Sequence, residues 1–509
     1  MGRRHLRLGL LALAACGGAG GADDGGRYDP LAVASAATGA VGNVDAAIPP
    51  DCFVRTDGGA NRCWVCHTDG DHRGRFADGE LQRTFPVTAR AGTNPWRNLF
   101  VDRRPAIAGV SDAQIEAWID TDNYAPLAAA LAEAAPTYPG VRPDLDLAAG
   151  FDADGFAVDG SGWRAVRYQP FPATVGLGLD GLGDVFIRLP TEFRADRDGQ
   201  PSPAVYRLNL SLLEAALTAP PPPATLDRAI EPVDERLLGF DLDGDGAVTA
   251  GAVRVRRLPP RYAGLAAARP LRVQVVPAGT ELLHSVRYLD PTRPTQQARR
   301  MKELRYARKV EELDDWGELR AYQAVADERS EGMPPRYQGD AAHGFLTGFG
   351  WQLQGFIEDR AGRLRLQTDD EHRACLGCHG ALGVTVDHTF SLARKVPGAA
   401  GWRPQDLRGL TDRPQRDHAA PELATYRQRA GLATADHPAD LLAWLAPPPA
   451  AALELDKAYY AVVQAQAFGD GRVTQRAPST AHHARIVDDD TGLAEADRIF
   501  LDGTLVPAW

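Results

Sequence analysis

Four of the chain's six cysteines fall into two copies of one pentapeptide pattern, Cys63-Trp64-Val65-Cys66-His67 and Cys375-Leu376-Gly377-Cys378-His379. Residues three and four apart share one face of a helical turn, so each copy can point two thiols and one imidazole the same way. That set suits covalent attachment of haem: the thiols add to the two vinyl groups, and His67 or His379 reaches the iron as the proximal axial ligand. Zinc uses the same residue types, but zinc knuckles pair at much closer spacing than the 312 residues between Cys63 and Cys375. A thiol–disulfide redox pair would sit beside a βαβ pattern and has no use for the histidine.

The opposite face of each iron decides the chemistry. A methionine or histidine there closes the site for electron transfer, whereas an open position admits peroxide or another small molecule. The favoured candidates are His284, in the apolar run Leu282-Leu283-His284, and Met301; His72 and His372 lie near the two motifs, and His388 is also available. A separate pattern, Asp241-Leu242-Asp243-Gly244-Asp245-Gly246-Ala247-Val248-Thr249, opens like an EF-hand loop. Asp241, Asp243 and Asp245 would offer carboxylates to calcium, Ala247 a backbone carbonyl and Thr249 a hydroxyl. The twelfth position is Ala252, so the bidentate carboxylate must come from elsewhere; a plain Asp/Gly turn is the alternative. Cys52 is left over, a small buried hydrophobe or a reactive thiol.

These residues need elements to hold them. Arg3, Arg4 and Arg7 followed by Leu8 to Ala15 read as an export signal over 1–15, and Gly/Ala-rich 16–47 as a flexible linker. No later stretch reaches the roughly 18 apolar residues of a spanning helix. Residues 48–148 are expected to form a first haem domain, helical, with a capping box at Ser111-Asp112-Ala113-Gln114. Residues 149–292 read as a β-rich domain with strands near Asp184–Leu189, Val253–Leu258 and Leu271–Val276 and one helix at Tyr206–Leu217. In 293–370, charge-dense 293–326 places Met301, Leu304, Val310 and Leu313 at helical spacing and predicts a long surface helix. Residues 371–509 carry the second motif and helices near Pro438–Leu445 and Leu453–Phe468.

The two pentapeptides resemble the haem-attachment sites of c-type cytochromes. Leu13-Ala14-Ala15-Cys16, followed by a glycine-rich stretch, resembles the lipobox of bacterial lipoproteins. That likeness implies a lipid on Cys16 as the first mature residue, and Gly17, where an inner-membrane retention aspartate is often found, points to the outer membrane. Without residues 1–15 the chain holds 53 basic against 67 acidic side chains, a net −14, and four haem propionates would add to it. Such a balance argues against nucleic acid and favours a small solute or a protein partner with a basic patch. The segments Gly162-Trp163, Arg287-Tyr288-Leu289-Asp290 and Arg300-Met301-Lys302-Glu303-Leu304 are similar to those of large bacterial cytochrome-like lipoproteins. The resemblance implies an α+β multidomain protein, with helical cytochrome c-like haem regions flanking a central β-rich domain. It implies two covalent haems c, and electron transfer between periplasmic or outer-membrane redox partners. The alternative is an oxidoreductase similar to the dihaem cytochrome c peroxidases, with one open haem site; those hold their motifs much closer together.

Overall fold

The computed structural model describes residues 28–44, 46, 96, 101–134, 136–167, 183–220, 223, 225–331, 333, 336–379, 386–388, 402–404, 419 and 449–471. Its centre is an antiparallel sheet of eight strands. In chain order these are β1 (Arg164–Val166), β2 (Val185–Arg188), β5 (Glu281–Leu289), β6 (Gln297–Lys309), β7 (Gln338–Asp340), β8 (Gly344–Leu346), β9 (Trp351–Glu358) and β10 (Leu364–Leu366). Their spatial order is β1-β2-β5-β6-β9-β8-β7, with β10 paired to β9. Strands β3 (Arg228–Asp234) and β4 (Ala250–Val255) form a separate two-stranded ribbon.

Both faces of the large sheet are covered, because alternate residues of one strand feed different cores. Val185 and Ile187 of β2 and Leu282 of β5 enter one core, together with Leu208, Leu212 and Leu213 of helix α5 (Pro203–Leu217). Phe186 and Leu283, their neighbours along the strands, enter the opposite core with Leu127 and Leu131 of α4 (Tyr124–Glu133). A third core sits at one end of the sheet. There Ile115 and Ile119 of α3 (Asp112–Ile119) meet Tyr459, Val462 and Val463 of α8 (Pro449–Ala465) over Tyr288 and Ile357. The remaining described helices are α1 (Ala32–Ala36), α2 (Arg104–Ala108), α6 (Asp315–Ser330) and α7 (Asp369–His379).

Two serines cap helices, Ser111 as the sequence leads one to expect and Ser202 on a helix that starts three residues ahead of the expected Tyr206. The Ser111 hydroxyl accepts from the Gln114 N–H at 3.2 Å and starts α3. Ser202 does the same for Val205 at 3.3 Å, with Pro203 in the first turn of α5.

The expected architecture of helical haem regions flanking a β-rich domain is corrected: among the described residues one large antiparallel sheet forms the centre, and α3 and α8, far apart in the chain, pack on that same sheet. The charge-dense segment is not one helix. Its first half is β6, a central strand between β5 and β9, and only Asp315–Ser330 is helical. The cause lies in a β-bulge: Val286 pairs with Glu303 and Arg287 with Met301, which leaves Lys302 as the extra residue. The bulge puts Met301 and Leu304 in one core at a spacing of three, the spacing that reads as helix. Leu271–Val276, expected as a strand, belongs to no strand.

Candidate functional site

Helix α7 carries the second motif on its final turns. Backbone positions 375, 378 and 379 are all helical, so they stand at the i, i+3, i+4 spacing of one helix face. Cys375 is buried at the edge of the larger core beside Leu376, with its Sγ 3.9 Å from Gln367 Oε1. Two further side chains fix the helix. His372 Nδ1 lies 2.9 Å from the Thr368 carbonyl, one turn back, and its Nε2 accepts from the Gly355 N–H of β9 at 2.9 Å. The carbonyl can only accept, so the proton sits on Nδ1, and both ring nitrogens of His372 are spent within the fold. Glu371 is held by Arg365 of β10 through two bonds of 2.9 and 2.8 Å.

Positions 375, 378 and 379 share one face of a firmly anchored helix, and residue types of this kind at this spacing would fit haem attachment. His372, expected as a candidate axial ligand, is committed within the fold. Of the other candidates, His284 is half-buried on β5, between Val185 of β2 and Arg305 of β6. It alternates with Leu283 and so points to the face that also holds Cys375. Met301 is fully buried in the opposite core, with Tyr124, Leu304 and Phe356, and its backbone is clasped by Asn123. The sheet therefore lies between Met301 and Cys375. Cys16, Cys52, Cys63, Cys66, His67 and His72 lie outside the described residues.

Beside this region is a cluster that sequence reasoning singled out only through His388. Asp387 and His388 follow the motif closely, and both adopt left-handed backbone, at φ 54° and 55°. Consecutive non-glycine residues there cost roughly 1–2 kcal/mol each. The turn is held by burial. Asp387 takes Lys309 Nζ at 2.9 Å and the Val276 N–H at 2.8 Å, and its carbonyl accepts from Trp351 Nε1 at 2.7 Å. His388 stacks on Phe349, centroids 3.7 Å apart, and meets the Tyr322 hydroxyl of α6 at 3.0 Å. Burial raises the Asp387 carboxyl against the pull of Lys309 and lowers the His388 imidazole against the pull of Glu318. Only the tertiary fold assembles these residues; the strands and turns that supply them are dispersed along the chain.

A second buried network occupies the end core. The Tyr288 hydroxyl donates to Glu358 Oε2 at 2.6 Å and accepts from Trp118 Nε1 at 3.1 Å. Desolvation pushes Glu358 up to about 8, against the opposing pull of Arg300 and Lys302. Gln466 joins this network to α7, donating to the Glu358 carbonyl at 3.1 Å and accepting from Arg365 at 3.1 Å.

The acidic loop sits between β3 and β4. Asp241 accepts from the Gly244 and Gly246 N–H groups at 2.7 and 3.2 Å, and Asp245 from Ala247 at 2.8 Å. Carboxylate oxygens of Asp241, Asp243 and Glu235 lie within 4.8 Å of one another. Glu235 is wholly buried and comes from before the loop, accepting from the Leu242 and Thr249 N–H groups at 2.7 and 2.9 Å. It stands where Ala252 has nothing to offer. Asp245, Ala247 and Thr249 lie in the same loop but outside this carboxylate group. A cavity of about 610 Å³ lies elsewhere, between α4, residues 143–151 and β5–β6, with Arg287 and Arg299 in its wall and no α7 residue.

Among the described residues no helix is long and apolar enough to cross a membrane. No solved structure matches the chain. An uncharacterized lipoprotein of Aquifex aeolicus (strain VF5) is 31% identical over 401 residues, which cover 73% of this chain and 64% of the relative. This chain thus spans under two thirds of that relative's length. A lipoprotein family model matches residues 36–438, a span that includes both pentapeptides, the large sheet and the acidic loop. The chain belongs to this lipoprotein family.

Proposed function

We propose that this lipoprotein is an exported dihaem c-type cytochrome, anchored at the outer membrane by a lipid on Cys16, that relays electrons between redox proteins. The observation that carries the reading is α7, whose last turns bring positions 375, 378 and 379 to one helix face with the Cys375 thiol buried at a core edge. Haem bound there would supply a one-electron couple that cannot diffuse away after export. The chain's own residues hold that turn in place: His372 ties it to β9 and Glu371 ties it to β10. With His372 committed, His379 is the imidazole of this segment left to meet the iron.

The test is the mature protein produced alongside a c-type haem maturation system. Two haems per chain are expected in the pyridine haemochrome spectrum, falling to one in Cys375→Ala/Cys378→Ala. Absence of the band ends the proposal, and a high-spin iron that consumes peroxide replaces electron relay with peroxidase chemistry.

A second reading concerns the β3–β4 loop, which we assign to calcium. The buried Glu235 beside Asp241 and Asp243 favours it, since it supplies the carboxylate the linear motif lacks. Calorimetric titration with calcium should show one site on the mature chain and none in Asp241→Ala; silence in the wild type removes the assignment.

A further inference from the structure

We propose that the outer face of α6, around Trp316 and Leu319, docks a soluble cationic electron-transfer protein. The inference rests on the electron-relay reading and names the surface and chemistry of its partner.

Trp316 is 69% exposed and Leu319 55%, three residues apart on one helix face, with Val310 42% exposed just before the helix. The inner face accounts for itself: Ala321, Tyr322 and Val325 pack around Phe349. A tryptophan with most of its surface in water is the kind of side chain that dominates binding when an interface closes over it. Its surroundings select the partner. Residues 311–331 hold eight carboxylates and two arginines, a net −6. Arg269 and Arg272 reach in to Glu312 at 2.6 and 3.7 Å and offset two of these charges, leaving −4. An apolar centre inside an acidic field matches a partner with an apolar centre inside a basic ring, and the field steers its approach.

The ground beneath the patch fits the same use. From α6 the Tyr322 ring lies 4.9 Å from Phe349, which stacks on His388. His388 adjoins Asp387, whose carbonyl holds Trp351, and Trp351 belongs to the same core as Cys375. The patch lies over a run of packed rings that ends in the large core where Cys375 is also buried.

The experiment uses the mature holoprotein and, as probe, a lysine-rich soluble cytochrome c whose iron is replaced by zinc, so that binding is read by fluorescence without electron transfer. Binding is expected, weakening at least tenfold between 20 and 200 mM salt on the order expected for screened charges. Trp316→Ala/Leu319→Ser and Glu311→Lys/Asp315→Lys should each weaken it about tenfold or more, with haem content and thermal melt unchanged. Binding by both variants at wild-type strength, no binding by the wild type, or equal binding of a succinylated, acidic form of the probe overturns the proposal. So does a patch that instead mediates association of two copies or of phosphatidylglycerol vesicles, read by sedimentation and flotation. A chain without haem would defeat the relay reading while the zinc probe still reports on docking, so the two failures are separable.

Discussion

Strand β6 and the outer side of the β3–β4 ribbon both carry charge and hold it in opposite ways, although β3 also buries Arg228 against Glu214 and Glu231 against Arg164. In β6, Lys302 and Lys309 are buried; Lys309 pairs with Asp387 at 2.9 Å, while Lys302 lies over the rings of Tyr288 and Tyr459. On the ribbon, Arg254 meets Asp227 at 2.6 Å and Arg236 meets Asp234 at 2.8 Å, with these side chains largely in water. The distances are alike. What differs is the cost of losing a partner: a charge stranded in a dry core cannot recover its hydration, and one at the surface already has it. The buried ions of β6 therefore depend on their partners, whereas the exposed pairs on the outer side of the ribbon do not.

The sharpest way to break that contrast is at Lys309. Lys309→Ala strands the Asp387 carboxylate and is expected to cost about 3–5 kcal/mol in denaturant unfolding. Lys309→Met/Asp387→Asn removes both charges, keeps the left-handed turn with a residue that tolerates it, and should recover most of the loss. A single variant as stable as the wild type would mean that this interior is wet.

Next is the response of the same sheet to pH. Glu358 is held up to about 8 by burial, from an ordinary value of 4.5, so the folded protein keeps a proton that the unfolded chain releases. Its contribution is complete below pH 4.5 and is lost as pH rises to 8, with a slope of up to about 1.4 kcal/mol per pH unit. Glu358→Gln keeps a neutral acceptor for Tyr288, so the difference in stability between wild type and variant should change across that window; a difference flat from pH 4.5 to 8 refutes a protonated Glu358. The ribbon should answer to metal instead. Calcium at a hundredfold excess over its dissociation constant should add about 2.7 kcal/mol, and none in Asp241→Ala.

The contrast also explains what the sequence made legible. The capping box, the acidic loop and the two Cys-x-x-Cys-His pentapeptides are signals carried by neighbours in the chain, and the structure places Ser111 and Asp241 in the local geometry such signals demand. Charge in β6 imitates a solvated helical face because periodicity reflects spacing and not burial. Its partners, Asp387 and Glu358 among them, are 50 to 80 residues away along the chain, and the bulge at Lys302 imitated a helical step. The buried His388–Asp387 turn is hidden for the same reason, whereas Glu235 is near in sequence but precedes the linear calcium pattern, which looks only forward from Asp241.

The smallest expected effect is the most exacting control. Arg254→Ala removes a bond to Asp227 shorter than that of Lys309 to Asp387, yet the carboxylate is exposed to water and keeps Arg256 at 3.3 Å, so the loss should fall within the error of a denaturant melt. The bond still leaves a mark: Arg254 holds the Asp227 carboxyl below its usual range, mainly through the hydrogen bond. Carboxyl titration by NMR should show Asp227 rising towards the ordinary aspartate value in the variant, with little change in the melt at neutral pH. If Arg254→Ala instead unfolded the ribbon as Lys309→Ala destabilises the sheet, bond length would be setting the energy, and the distinction between a dry frame and a wet, ligand-responsive ribbon would fail.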